Sequence, residues 1–133
     1  MLADHVKKVL VIDDSEVDRF IAERVMKKSG FADEIVTING GQDSLAYLLS
    51  FDADPSGLPE LIFLDIRMPE MDGFEFLDRF ISLPENIIKN ITVVMLSSST
   101  HPDDQRRAKE ISCVKGFIDK PISQDKLQQM MTG

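Results

Sequence analysis

Apolar and polar residues follow two rhythms along this chain. Short, nearly unbroken apolar runs, such as Val9-Leu10-Val11-Ile12 and Leu61-Ile62-Phe63-Leu64, read as buried strands. Between them apolar residues recur at helical spacing. The runs predict strands at Lys8–Ile12, Glu34–Ile38, Leu61–Asp65, Ile91–Ser97 and Val114–Ile118. A first helix is expected from an N-cap at Ser15, with Val17, Phe20, Ile21 and Val25 on its inner face and Gly30 as its stop. A second carries Leu45, Leu48 and Leu49, and a third starts near Asp72-Gly73 and carries Phe74, Phe76, Leu77 and Phe80. Pro102-Asp103-Asp104 suits the first turn of a fourth, where proline needs no N–H and acids meet the positive end. Ser123 caps a fifth, with Leu127, Met130 and Met131 inward. The stretches 51–60 and 84–90 are expected to be irregular.

Five strand–helix repeats imply an α/β fold with a parallel five-stranded sheet. Strands one, three and four are solidly apolar, as strands covered on both faces must be. Strands two and five carry more polar residues and belong at the edges. Right-handed crossovers then favour the order 2-1-3-4-5, a flavodoxin-like doubly wound (βα)5 arrangement. In that order strand one neighbours strand three, and a crevice opens at their C-terminal ends.

The 133 residues are the size of one compact domain, so 1–133 is expected to be a single unit without an output domain. The net charge of −8 argues against unaided binding to nucleic acid. No apolar run is long enough to span a bilayer, and no signal peptide opens the chain. Cys113 is the only cysteine, so an internal disulfide is impossible and a cytoplasmic location is expected.

The chemistry gathers at strand ends. Asp13 and Asp14 follow strand one, Asp65 ends strand three, Ser97 ends strand four, and Lys120-Pro121 follows strand five. Three carboxylates brought into one crevice repel unless a cation joins them. A hard divalent metal would do so and would also draw in a phosphate.

These residues lie in a recognisable set: Leu10-Val11-Ile12-Asp13-Asp14-Ser15, Leu64-Asp65-Ile66-Arg67-Met68-Pro69 with Met71-Asp72-Gly73, Met95-Leu96-Ser97-Ser98, and Phe117-Ile118-Asp119-Lys120-Pro121. From about Lys8 to Met131 the chain resembles the receiver domain of two-component response regulators, of the stand-alone, chemotaxis type. The resemblance implies that Asp65 accepts a phosphoryl group from a phosphohistidine on a sensor histidine kinase or phosphotransfer protein. It implies Mg²⁺ held by Asp14, by Asp13 through water, by Asp65, and by the backbone carbonyl of Arg67. Lys120 would neutralise phosphoryl charge and Ser97 would hydrogen-bond the attached group. Phe117 would be the switch aromatic that reshapes the face of the fourth helix, fifth strand and fifth helix for an unidentified protein target. As a phenylalanine it lacks the hydroxyl that a tyrosine would offer that target. A cis Lys120–Pro121 bond is also implied.

Taken singly, the residues have ordinary readings: Asp14 a cap or turn acid, Lys120 a solvated amine, Phe117 a core aromatic, Cys113 a small buried apolar residue, His5 and His101 surface residues. Arg67 either shields the phosphoryl group or pairs with an acid such as Glu70, and Ser99 flanks the same route for water. Two other functions compete. An aspartate-nucleophile phosphatase of the haloacid-dehalogenase type wants a second acid two residues after the nucleophile, where this chain has Arg67. A phosphorylation-independent scaffold does not need the intact set Asp14, Asp65, Ser97 and Lys120. A phosphate shuttle in a relay fits the same residues as a stand-alone regulator.

Overall fold

The computed structural model describes residues 5–98 and 102–132. Its elements run β1 Val6–Ile12, α1 Glu16–Ser29, β2 Ala32–Ile38, α2 Gly41–Leu49, β3 Leu61–Asp65, α3 Gly73–Phe80, α4 Glu85–Ile88, β4 Thr92–Ser97, α5 Pro102–Lys109, β5 Val114–Asp119 and α6 Gln124–Thr132. The five strands are parallel, in the order β2-β1-β3-β4-β5. The expected order and edge strands are borne out.

The period-two geometry of a strand divides the core. Leu10, Ile12, Ile62, Leu64, Val93 and Met95 face α2 to α5, where Phe76, Leu77 and Phe80 meet them. Val9, Val11, Leu61, Phe63, Val94 and Leu96 face the opposite side, against Ala22 and Met26 of α1 and Leu127 of α6. The three central strands are therefore apolar on both faces.

The caps act as the sequence implies. Ser15 Oγ accepts the Asp18 N–H, and Gly30 takes the left-handed conformation (φ 68°) that ends α1. Asp72 and Glu75 form a reciprocal capping box that starts α3. The inner face of α1 differs from expectation. Ala22 and Met26 are buried, whereas Val17 and Phe20 are 67% and 62% exposed. The helix is rolled so that Asp18 and Arg19 reach back to the crevice, and that turn carries Val17 and Phe20 outward. Leu49 is likewise exposed.

Both stretches expected to be irregular hold some structure. Residues 84–90 contain the one-turn helix α4, which buries Ile87. In the 51–60 loop a short 3₁₀ turn spans Pro55–Gly57. Lys8 staples this loop: its Nζ donates to the Gly57 carbonyl at 2.7 Å and lies 4.8 Å from the Phe51 ring centroid.

Candidate functional site

The crevice forms where sheet direction reverses between β1 and β3. Asp13 follows β1 and Asp65 is the last residue of β3; both are buried, at 1% and 3% exposure. One carboxylate oxygen from each of Asp13, Asp14 and Asp65 lies within 4.8 Å of the others. Like charges at that spacing are costly, the more so because Asp13 and Asp65 are buried. Burial first, and then the Asp13 charge, push the Asp65 carboxyl up to about 7, with Lys120 pulling it down and Asp14 adding to the rise.

Lys120 offsets part of this repulsion. Its Nζ lies 2.7 Å from Asp13 Oδ2, 2.9 Å from Asp18 Oδ2 and 3.3 Å from Asp65 Oδ1, with 12% of the side chain exposed. Burial works against this ammonium, but hydrogen bonds to Asp13 and Asp18 and the charges of Asp13 and Asp65 outweigh it and raise its pKa. The Lys120–Pro121 bond is cis, as the resemblance implied. The Lys120 N–H donates to the Ser97 carbonyl at 2.7 Å, and Lys126 Nζ donates to the carbonyls of Asp119 and Pro121. The loop that presents the amine is thus fixed from both sides.

The acids are held as firmly. The Ser15 N–H donates to Asp13 Oδ1 at 3.0 Å, and Arg19 donates to the Asp13 carbonyl at 2.8 Å. Behind Asp65, Gly73 packs so closely that a Cβ there would lie 2.7 Å from the Asp65 carbonyl oxygen and 3.0 Å from Ile66 Cα. Glycine is required by that approach. In the turn between them, the Met71 N–H reaches the Pro69 carbonyl at 2.6 Å across Glu70, whose φ is 66°. Asp14 also lines an open groove of about 650 Å³ that includes Gly40, Gln42, Pro69 and Glu70.

Ser97 is buried at the end of β4. Phe117 is half-buried on β5, opposite Met95 on β4, and borders a cavity of about 340 Å³ shared with Gln105, Ala108 and Lys109. Arg67 pairs with Asp104 of α5 at 2.6 Å, not with Glu70. Ser99 and His101 lie outside the described residues. His5 is exposed and bonded to Asp33 at 2.7 Å. Cys113 is half-buried, and burial raises its thiol pKa.

Asp13, Asp14, Asp65, Ser97 and Lys120 therefore converge at one end of the sheet, with the Arg67 backbone two residues past Asp65. The sequence reading missed Asp18, Arg19, Lys126 and Asp104. Asp18 carried a signal only in part: an acid in the first turn of a helix has a sufficient local explanation, and its partner is 102 residues away.

The model of the response regulator receiver domain matches residues 9–132. The chain is 31% identical over 121 residues to the probable methanogenesis regulatory protein FilR2 of Methanothrix harundinacea, covering 91% of this chain and 76% of that one. A two-component response regulator from Cytophaga hutchinsonii superposes with a TM-score of 0.88 at 26% identity, covering 96% of each chain. The receiver domain of the Arabidopsis thaliana histidine kinase CKI1, solved with Mg²⁺ and BeF3⁻, shares the fold with a TM-score of 0.77 at 24% identity, covering 96% of this chain and 91% of that one.

Proposed function

This chain belongs to the response regulator receiver family, a family of phosphoacceptor signalling domains, and from that premise we propose that Asp65 is its phosphoacceptor. The observation that carries the reading is the three-carboxylate cluster in contact with one half-buried ammonium. Asp13 is engaged by the Ser15 N–H and by Lys120 at 2.7 Å. Asp65 sits at the tip of β3 with Oδ1 3.3 Å from the Lys120 ammonium, so a phosphoryl group attached there would lie beside that positive charge.

In the proposed reaction a carboxylate oxygen of Asp65 attacks the phosphorus of a phosphohistidine. A P–O bond forms, the P–N bond breaks, and the electron pair leaves on the imidazole, which takes a proton. Lys120 offers its ammonium to the equatorial phosphoryl oxygens, where negative charge must be met. Ser97 donates its hydroxyl to the attached group. The donor set fits Mg²⁺: clustered carboxylates of Asp13, Asp14 and Asp65 with the Arg67 carbonyl are hard oxygen ligands. Bound there, Mg²⁺ would supply positive charge to the carboxylates and to the incoming phosphoryl oxygens.

Signalling would follow from a population shift. Ser97 drawn toward the phosphoryl group leaves space behind it, and Phe117 turns inward to fill it. That would reshape the face of α5, β5 and α6 for a protein target. The phosphodonor would be a sensor histidine kinase or histidine phosphotransfer protein. Among the described residues no helix is long and apolar enough to cross a membrane. The acidic charge fits a regulator without direct nucleic-acid contact, and the lone Cys113 fits a cytoplasmic location.

Incubation with acetyl phosphate, read by intact mass, tests the assignment. The protein should gain one phosphoryl mass with Mg²⁺ and none with EDTA, and Asp65→Asn should gain none. Equal labelling of the variant would move the acceptor elsewhere. Steady turnover of p-nitrophenyl phosphate would favour a phosphatase instead.

A further inference from the structure

Lys120 has three N–H donors, and its two shortest contacts go to acids other than the acceptor. Of these, Asp13 belongs to the cluster that suits a metal, and Asp18 does not. Asp18 sits on the first turn of α1, its N–H held by Ser15 Oγ at 3.2 Å, so its carboxylate is presented from a rigid element. It is the most open of the lysine's three partners, with 36% of the side chain exposed against 1% for Asp13 and 5% for Asp65. Ile21, Ala22, Pro121 and Ile122 line one small cavity together with Asp13, Asp18 and Lys120.

From this geometry we infer that Asp18 is a positioning residue: it gives the Lys120 ammonium a partner that does not compete for the cation, so that Asp13 can be released to a divalent metal while Lys120 stays at the crevice. The inference rests on the receiver reading and deepens it. When the carboxylate cluster takes a cation, Lys120 gives up its 2.7 Å contact with Asp13 and part of its contact with Asp65. With Asp18 present, the half-buried ammonium keeps one charge-assisted hydrogen bond. Without Asp18 it would lose that bond. It would therefore hold on to Asp13, and the cation would have to displace it at greater cost.

The test is a double-mutant cycle on Mg²⁺ affinity, measured by calorimetry, with urea unfolding in EDTA as a second readout. Asp18→Asn should weaken Mg²⁺ binding roughly tenfold, the worth of one hydrogen bond to a charged group. Glu16→Gln removes a charge from the same helical turn at a residue outside the lysine's three acid partners, and should change affinity much less. In a Lys120→Met background Asp18→Asn should have little further effect, and Asp18→Glu should restore part of the affinity in the native background. In EDTA the same pair should show coupling in urea midpoints. If Asp18→Asn weakens Mg²⁺ equally with and without Lys120, or no more than Glu16→Gln, the residue acts only as a distant charge and the inference is wrong. Acetyl phosphate labelling of the native protein, run alongside, separates this failure from a failure of the receiver reading: no Mg²⁺-dependent labelling on Asp65 would overturn both.

Discussion

Replacing Asp65 by asparagine should make the metal-free protein more stable, at the expense of its proposed reaction. The carboxyl is pushed from 3.8 to about 7, chiefly by burial and by Asp13. A rise of roughly three, at about 1.4 kcal/mol per tenfold, means that ionising Asp65 in the folded state costs about 4 kcal/mol relative to the unfolded chain. Asparagine has nearly the same shape and no charge, so it escapes this cost. It gives up the charge in the 3.3 Å contact with Lys120, but that lysine keeps Asp13 and Asp18. A net gain of about 2–3 kcal/mol at pH 8 is expected, or roughly 10 °C in Tm for a chain of this size. The sign fixes the pH window. Because the folded pKa lies above the unfolded one, the native state holds a proton that the unfolded state has released between about pH 4 and 7. Native stability falls as pH rises through that range and levels off above it. The advantage of Asp65→Asn should therefore be small near pH 4, grow to pH 7, and stay constant beyond. Urea unfolding in EDTA at pH 4.5, 6 and 8 measures it. A variant no more stable than the native protein at pH 8, or one whose advantage is the same at pH 4.5, would refute the argument.

Asp14→Ala should flatten the rise in Tm that Mg²⁺ produces, because a proposed ligand is gone, and an unchanged Mg²⁺ titration would remove Asp14 from the metal set. Arg67→Ala should shorten the lifetime of the phosphorylated protein severalfold without abolishing labelling, and Asp104→Asn should do the same if the 2.6 Å pair holds the guanidinium across the crevice mouth. Arg67→Ala should change folding stability by less than about 1 kcal/mol, since the Arg67 side chain is 59% exposed. An equal or longer lifetime, followed by intact mass after donor removal, would leave Arg67 a surface residue. Gly73→Ala should cost about 1–3 kcal/mol in urea unfolding, because the new methyl meets backbone at 2.7 and 3.0 Å.

Much of this protein was legible in its sequence, for reasons of local physics. The double-faced apolar runs Val9–Ile12 and Leu61–Leu64 demand cover on both sides, and that alone places β1 and β3 in the middle of a sheet. Handed crossovers then leave few orders open, and Asp13 and Asp65 are carried to the same crevice. Ser15, Gly30 and Asp72 announce helix ends because capping is satisfied within a few residues. The four residues of α4 were invisible because one turn has no period to detect.

What the tertiary structure decided are the contacts that join distant segments. Val17 and Phe20 match an inner helical stripe as well as Ala22 and Met26 do. The roll of α1 that buries Ala22 and Met26 also brings Asp18 to Lys120 and Arg19 to the Asp13 carbonyl. Arg67 had acids close in sequence, Glu70 among them, yet pairs with Asp104, 37 residues on, because α5 begins beside the β3–α3 loop. Hydrophobic period and capping are properties of a few neighbouring residues, so the sequence determines them by itself. The partner of a charged side chain depends on where whole elements come to rest, which only the folded sheet decides.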